Sequence, residues 1–217
     1  MALAIFDLDN TLLDGDSDYL WGCFLAEHGI VDSEAYQIEN QRFYDQYLDG
    51  SLNIYEFLRF QLQPLAAHGS AQLMQWREQF LSDKIEPILL PKARELVDKH
   101  RRQGDELLIV TATNRFITGP IAERYGIHHL LATEPEMLDG EYTGGVSGTP
   151  CFQDGKVERL RAWLDEHGQN LEGSWFYSDS HNDLPLLELV DHPVAVDPDA
   201  KLATLARQRG WAIISLR

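Results

Sequence analysis

The chain has 217 residues, enough for one medium domain or for a core domain carrying an insertion, and its 44% apolar and 10% aromatic content is far from that of a disordered chain. A formal charge of −17 excludes a surface built to hold nucleic acid or anionic lipid, since both need clustered Lys and Arg. Any anionic ligand must therefore meet a local reversal of the field by a metal ion, a Lys or a helix N-terminus.

Met1-Ala2-Leu3-Ala4-Ile5-Phe6 lacks the basic start of a secretory leader, and acids begin at Asp7. Leu3 to Phe6 is a continuous apolar run ending in acids, as expected of a strand buried on both faces of a parallel sheet. From about Gly15 to Leu90 aromatics and leucines recur at helical spacing (Tyr19, Phe24, Phe43, Phe57, Leu62, Phe80), which predicts a helical insertion ending near Pro87 or Pro91. Leu107 to Val110 reads as the second core strand, followed by Thr111-Ala112-Thr113-Asn114 and a helix over about Phe116 to Tyr125. Glu136 to Val146, with Gly140, Gly144 and Gly145, predicts a projecting hairpin. A helix over Lys156 to His167 then leads to a strand over Trp175 to Tyr177 and to Ser178-Asp179. Helix, strand, helix and strand follow over Leu184 to Val190, Pro193 to Val196, Lys201 to Arg209 and Ala212 to Ile214.

Strands alternating with helices predict an α/β fold, a doubly wound, mostly parallel sheet with helical residues inserted after the first core strand. Residues 1–14 and 91–217 are expected to form the core domain and 15–90 the inserted one. Cys23 and Cys151 lie far apart without a CxxC spacing and read as reduced packing residues. No apolar run approaches the about 18 residues of a membrane span, so the expectation is a soluble, cytoplasmic chain with neither nucleic acid nor membrane as partner. Its oligomeric state is not legible.

In doubly wound sheets ligands sit beyond the carboxyl ends of the strands. Each apolar run delivers polar residues to that edge: Asp7 and Asp9, then Thr111, then Asp179 and Asp183, with Lys156 at the start of a nearby helix. Carboxylates converging at one rim repel one another unless a hard cation neutralises them, and all-oxygen ligation suits Mg²⁺. The acids would recruit the metal, and the metal with Lys156 would recruit a phosphate.

Asp7-Leu8-Asp9-Asn10-Thr11 after a buried strand resembles the DxDxT signature of the haloacid dehalogenase superfamily. Thr111 resembles its second motif, Lys156 its third, and Asp179-Ser180-His181-Asn182-Asp183 its acidic fourth. The match spans the chain in the right order. The resemblance implies a Mg²⁺-dependent phosphatase of small phosphate esters. Asp7 would be the nucleophile that forms an aspartyl-phosphate, and Asp9 the general acid and base. Thr111 and the backbone near Ala112 would hold phosphate oxygens, and Lys156 would offset charge. It places Mg²⁺ on Asp7, the Asp9 carbonyl and Asp179, with Asp183 acting through a metal-bound water or from behind, and gives Asn182 a contact with the phosphoryl group or its water. His181 needs no catalytic role.

The helical insertion resembles the cap of the phosphoserine phosphatase-like subgroup. Asp16 falls where that subgroup places an acid, usually Glu, that meets a substrate ammonium, and Arg59 where it places an Arg that grips a carboxylate. Thr111-Ala112-Thr113-Asn114 and the side chains of Ser180 and His181 depart from the glycine-containing motifs of phosphoserine phosphatases and look more like a histidinol-phosphatase-like branch. Phosphoserine and histidinol phosphate are both candidate substrates. Two rivals remain: a phosphotransferase or phosphomutase of the same fold, which would need an acceptor, and a receiver-like regulatory module, which is typically about half this length.

Overall fold

The computed structural model describes residues 2–217; Met1, where the leader reading begins, lies outside them. Strand β1 (Leu3–Phe6) is buried throughout, and its period-two alternation sends Ala4 and Phe6 into one apolar cluster and Leu3 and Ile5 into another. It pairs in parallel with β2 (Glu106–Asn114) on one side and β5 (Trp175–Ser178) on the other. With β3 (His129–Leu138), β4 (Glu141–Ser147), β6 (His192–Val196) and β7 (Ala212–Ile214), the described residues form a seven-stranded sheet of order β4-β3-β2-β1-β5-β6-β7. Its pairs are parallel except β3 with β4.

Helices cover both faces. Val97 of α5 (Pro91–Gln103) and Ile117 and Ile121 of α6 (Arg115–Arg124) join the cluster of Phe6. Leu160 of α7 (Asp154–His167) and Leu202 of α9 (Ala200–Arg209) join that of Ile5. The sheet is thus doubly wound, as expected.

Two readings need correction. Residues 129–138 make a core strand that the sequence pattern does not announce, because only Leu130, Leu131 and Ala132 are continuously apolar; the expected hairpin is its outer half paired with β4. The helix read over Leu184 to Val190 is only the single turn α8 (Leu184–Leu187).

Between β1 and α5 the chain forms α1 (Ser17–Glu27), α2 (Ser33–Asp49), α3 (Ile54–Ala67) and α4 (Ser70–Phe80), then a π turn and a 3-10 turn. Asp16, Asp32 and Asn53 cap the first three of these helices with side-chain oxygens. An antiparallel bridge between Leu13 and Leu89 closes the neck of the insertion. Trp21, Phe24, Leu62 and Phe80 share the cluster of Phe6, so the insertion packs on one face of the sheet rather than around a core of its own. The β3–β4 hairpin props it: Ser70 Oγ donates to Gly140 O at 2.8 Å. Among the described residues no helix is long and apolar enough to cross a membrane.

Candidate active site

The central position of β1 between β2 and β5 places three strand ends side by side. Asp7 and Asp9 follow β1, Thr111 and Thr113 lie near the end of β2, and Asp179 follows β5. Asn10 takes a left-handed backbone (φ +56°), a conformation Asn tolerates, and the turn brings Thr11 back toward Asp7. Thr11 Oγ1 lies 3.4 Å from Asp7 Oδ2 and 3.2 Å from Asp179 Oδ1, and it accepts from Asp179 N at 3.1 Å.

Lys156 arrives from the first turn of α7. A Cβ on Gly155 would lie 2.1 Å from Pro150 O, so only glycine lets the chain turn tightly enough there. Lys156 Nζ then reaches Asp7 Oδ1 at 2.7 Å and Asp183 Oδ1 at 2.7 Å. All three residues are at most 4% exposed. Ser178 Oγ donates to Asp183 Oδ2 at 2.7 Å, which fixes that carboxylate behind the lysine.

The carboxylate of Asp9 points elsewhere. Its Oδ1 accepts from Ser17 N at 2.7 Å, and its Oδ2 from Thr113 Oγ1 at 2.8 Å and weakly from Thr111 Oγ1 at 3.5 Å. Thr111 Oγ1 in turn accepts from Thr113 N at 3.2 Å. Thr113 was legible in principle: two residues from Thr111 on one strand, it shares that residue's face.

The electrostatics follow from crowding. Burial raises the Asp7 carboxyl to about 7, with Asp183 and Asp9 adding to the rise and Lys156 opposing it. Asp9 is also raised, first by burial and against its hydrogen bonds from Ser17 and Thr113. Asp179 is raised well above the usual carboxylate range by burial and then by Asp7 and Asp183. Burial works against the Lys156 ammonium, but Asp183 and Asp7 outweigh it and hold its pKa above the ordinary value.

Among the described residues no three Asp, Glu, His or Cys side chains form a metal-holding group. The carboxylates of Asp9 and Asp183 are bound by protein donors, which leaves to Asp9 its backbone carbonyl and to Asp183 an outlying place, while Asp7 and Asp179 are joined through the Thr11 hydroxyl. The buried Asp7 and the partly buried Asp179, with one nearby ammonium, suit Mg²⁺, which is commonly held by one or two carboxylates with water and phosphate completing the shell.

A cavity opens beside these groups. Asp7, Asp9, Asp16 and Asp18 line it together with Thr111, Ala112 and Thr113. The insertion and the loop before α7 supply aromatic walls: Tyr19, Phe43, Tyr44, Tyr47, Phe57 and Phe152. Among the described residues no Lys, Arg or His lines it. Asp16 accepts from Tyr19 N at 2.8 Å as the cap of α1, and burial, then Asp9, raises its carboxyl to about 7.

Other expected residues stand differently. Arg59 is exposed on α3 and does not line the cavity, so the structure does not bring it to the site. Asn182 is used to join segments, its Nδ2 donating to Tyr47 O at 3.0 Å and its Oδ1 accepting from Gln153 Nε2 at 3.1 Å. His181 lies outside the cavity, 2.8 Å from Asp199 Oδ2 through Nδ1 and 3.2 Å from Lys201 Nζ through Nε2.

Comparison with known proteins shows the family and the fold. The model of the haloacid dehalogenase-like hydrolase family matches residues 4–188. The chain is 43% identical to the histidinol-phosphatase of Neisseria meningitidis serogroup C (strain 8013) over 219 residues, covering 99% of each chain. It is 33% identical to the phosphoserine phosphatase SerB1 of Mycobacterium tuberculosis (strain ATCC 25618 / H37Rv), over 100% of this chain and 71% of that one. The crystal structure of a protein with unknown function from Bordetella pertussis Tohama I superimposes with a TM-score of 0.94 at 45% identity, covering 100% of this chain and 99% of the other. A substrate-bound phosphoserine phosphatase complex shares the fold, with a TM-score of 0.73 at 18% identity over 100% of this chain and 93% of that one.

Proposed function

The chain belongs to the haloacid dehalogenase-like hydrolase family, as a phosphatase, and from that premise we propose that it hydrolyses a small amine-bearing phosphomonoester through a phosphoryl group carried on Asp7, with Mg²⁺ beside it. The supporting observation is the buried Lys156–Asp7 pair next to a cavity that Asp7 and Asp9 both line.

Asp7 attacks phosphorus, the new O–P bond forming as the ester oxygen departs. Asp9, whose raised pKa suits it to hold a proton, protonates that oxygen. Asp9 then takes a proton from water, the water oxygen bonds phosphorus, and the bond to Asp7 breaks to release inorganic phosphate. Lys156 balances charge on Asp7 throughout, and Thr111 with the Ala112 backbone holds phosphate oxygens. Asp7, Asp179 and the Asp9 carbonyl would hold the Mg²⁺, which supplies positive charge against the phosphate when bound. Residues 15–90 act as a cap over the core of residues 1–14 and 91–217, excluding water during the transfer.

Charge selects the substrate. Asp16 offers a carboxylate to an ammonium, whereas a carboxylate on the substrate would enter a cavity walled by acids with no cationic side chain to meet it. This favours histidinol phosphate, which carries an amine and an imidazole, over phosphoserine. It agrees with the name of the Neisseria relative.

The test is phosphate release from histidinol phosphate, phosphoserine, sugar phosphates and nucleotides, each with Mg²⁺ and with EDTA. The expected result is histidinol phosphate turned over fastest, only with Mg²⁺ and without any acceptor. Full activity in EDTA, or a faster rate with phosphoserine, contradicts the reading.

A further inference from the structure

The machinery above leaves one cavity-lining carboxylate unused. Asp18 lies in the first turn of α1, is 5% exposed, and faces the same cavity as Asp7, Asp9 and Asp16. It touches neither Lys156 nor Thr11. Its carboxylate accepts from Asn114 Nδ2 at the limiting distance of 3.5 Å, and the Gln61 side chain is a further donor beside it. Asn114 is itself 2% exposed, and its Oδ1 has no hydrogen-bond partner.

Beside the cavity-lining Asp18 carboxylate, which holds its Asn114 donor only at the limiting distance, the Asn114 Oδ1 is thus buried without a partner. An isolated buried carboxylate is costly, and burial followed by the charges of Asp16 and Asp9 raises Asp18 well above the usual carboxylate range. Packing alone gives no account of this acid. Its backbone carbonyl already anchors α3 by accepting from Gln61 Nε2 at 2.9 Å, a contact any residue at this position would make. The Tyr19 and Tyr44 rings, with centroids 4.8 Å apart, add flat surface to the same cavity.

We propose that Asp18, seconded by Asn114, is a specificity-determining residue that accepts a hydrogen bond from a second nitrogen of the substrate, distinct from the ammonium assigned to Asp16. The inference rests on the phosphatase reading for its substrate frame. It selects phosphomonoesters that carry both an amine and a further N–H donor on a flat ring, and it disfavours esters carrying the amine alone.

The experiment compares Asp18→Asn with the wild type on three substrates and one ligand. Asp18→Asn is expected to lower kcat/KM for histidinol phosphate by about tenfold or more, mainly through KM, as loss of a charge-assisted hydrogen bond does. For 2-aminoethyl phosphate, which has the amine alone, and for 4-nitrophenyl phosphate, which has neither nitrogen donor, kcat/KM should stay within about threefold. Histidinol, measured by calorimetry in EDTA, should bind the wild type at least about tenfold more tightly than the variant. The variant should melt no lower than the wild type, because an isosteric amide replaces an acid whose ionised form burial already disfavours. Equal losses on all three esters, an unchanged histidinol affinity, no histidinol binding to the wild type or a melting temperature lowered by more than about 5 °C would each overturn the proposal. A wild type that releases phosphate from none of the esters defeats the phosphatase reading instead, and the histidinol arm still decides the role of Asp18.

Discussion

Lys156 Nζ lies 2.7 Å from Asp7 Oδ1 in surroundings that shut out solvent, and the same nitrogen reaches Asp183 Oδ1 at 2.7 Å. One ammonium therefore serves two carboxylates. Lys156→Met keeps the side-chain volume and strands both acids. Breaking a buried pair in this way costs about 3–5 kcal/mol, so denaturant unfolding should show a loss of that order. Phosphate release should fall by about 10²-fold or more, because charge on the reacting carboxylate is no longer balanced. A variant of wild-type stability and near wild-type turnover would remove the lysine from the account.

Asp9 is held by Ser17 N at 2.7 Å and Thr113 Oγ1 at 2.8 Å, a grip that Asn can largely keep. Asp9→Asn should therefore fold normally and lose about 10²–10⁴-fold in kcat on alkyl phosphates, the usual worth of a positioned proton donor. With 4-nitrophenyl phosphate, whose leaving group needs no proton, the first step should be spared. A pre-steady-state burst of nitrophenol followed by slow turnover is expected, since water attack still needs the base. Equal slowing of the burst and the steady state would contradict the acid–base role.

The raised acids link stability to pH. Asp7 and Asp16 move from 3.8 to about 7, mainly by burial. An acid with a higher pKa folded than unfolded takes up a proton on folding, so its contribution is most favourable below the unfolded value and declines as pH rises through the folded one. Asp105, Asp197 and Asp199 are lowered, so their contribution changes only below 3.8 and leaves the window from about 4 to 7 to the raised acids. In EDTA the melting temperature should drop between about pH 5 and pH 8, and Mg²⁺ should restore more at pH 8 than at pH 5. A melting temperature that rises over this range in EDTA and ignores Mg²⁺ would contradict the buried-acid description.

Asp16 and Arg59 make opposite predictions despite their equal standing in sequence. Asp16→Asn retains the cap to Tyr19 N and removes the charge facing the cavity, so KM for histidinol phosphate should rise about tenfold with stability little changed. Arg59→Ala, at an exposed position away from the cavity, should leave kcat and KM within about twofold. A large KM change on removing Arg59 would show that the side chain reaches the site.

The contrast shows where a sequence is informative. Strand ends with acids could be read because burial on both faces demands an unbroken apolar run, as in Leu3 to Phe6, and because the doubly wound sheet brings such ends to one edge. The strand at residues 129–138 escaped because half of it leaves the core for an exposed hairpin and carries polar residues there. The resemblance assigns the Asp9 carbonyl, not its carboxylate, to the metal and keeps Asp183 behind it. What the sequence does not disclose is which groups hold those carboxylates: Ser17, Thr113, Ser178 and Lys156, partners that no local pattern identifies. Asp18 gave no signal at all, since its significance lies in a cavity shared between α1, α2 and the end of β2. Helical spacing revealed the insertion. That its aromatics share the cluster of Phe6 is a matter of tertiary packing.

The central claim is that phosphate passes through Asp7 before reaching water. It is tested most directly by the stereochemistry at phosphorus, using a phosphomonoester made chiral with three oxygen isotopes and an alcohol acceptor in place of water. Two successive in-line displacements, the first by Asp7, predict net retention of configuration. Net inversion would mean that the acceptor attacks the substrate directly, and the Asp7 intermediate would have to be abandoned.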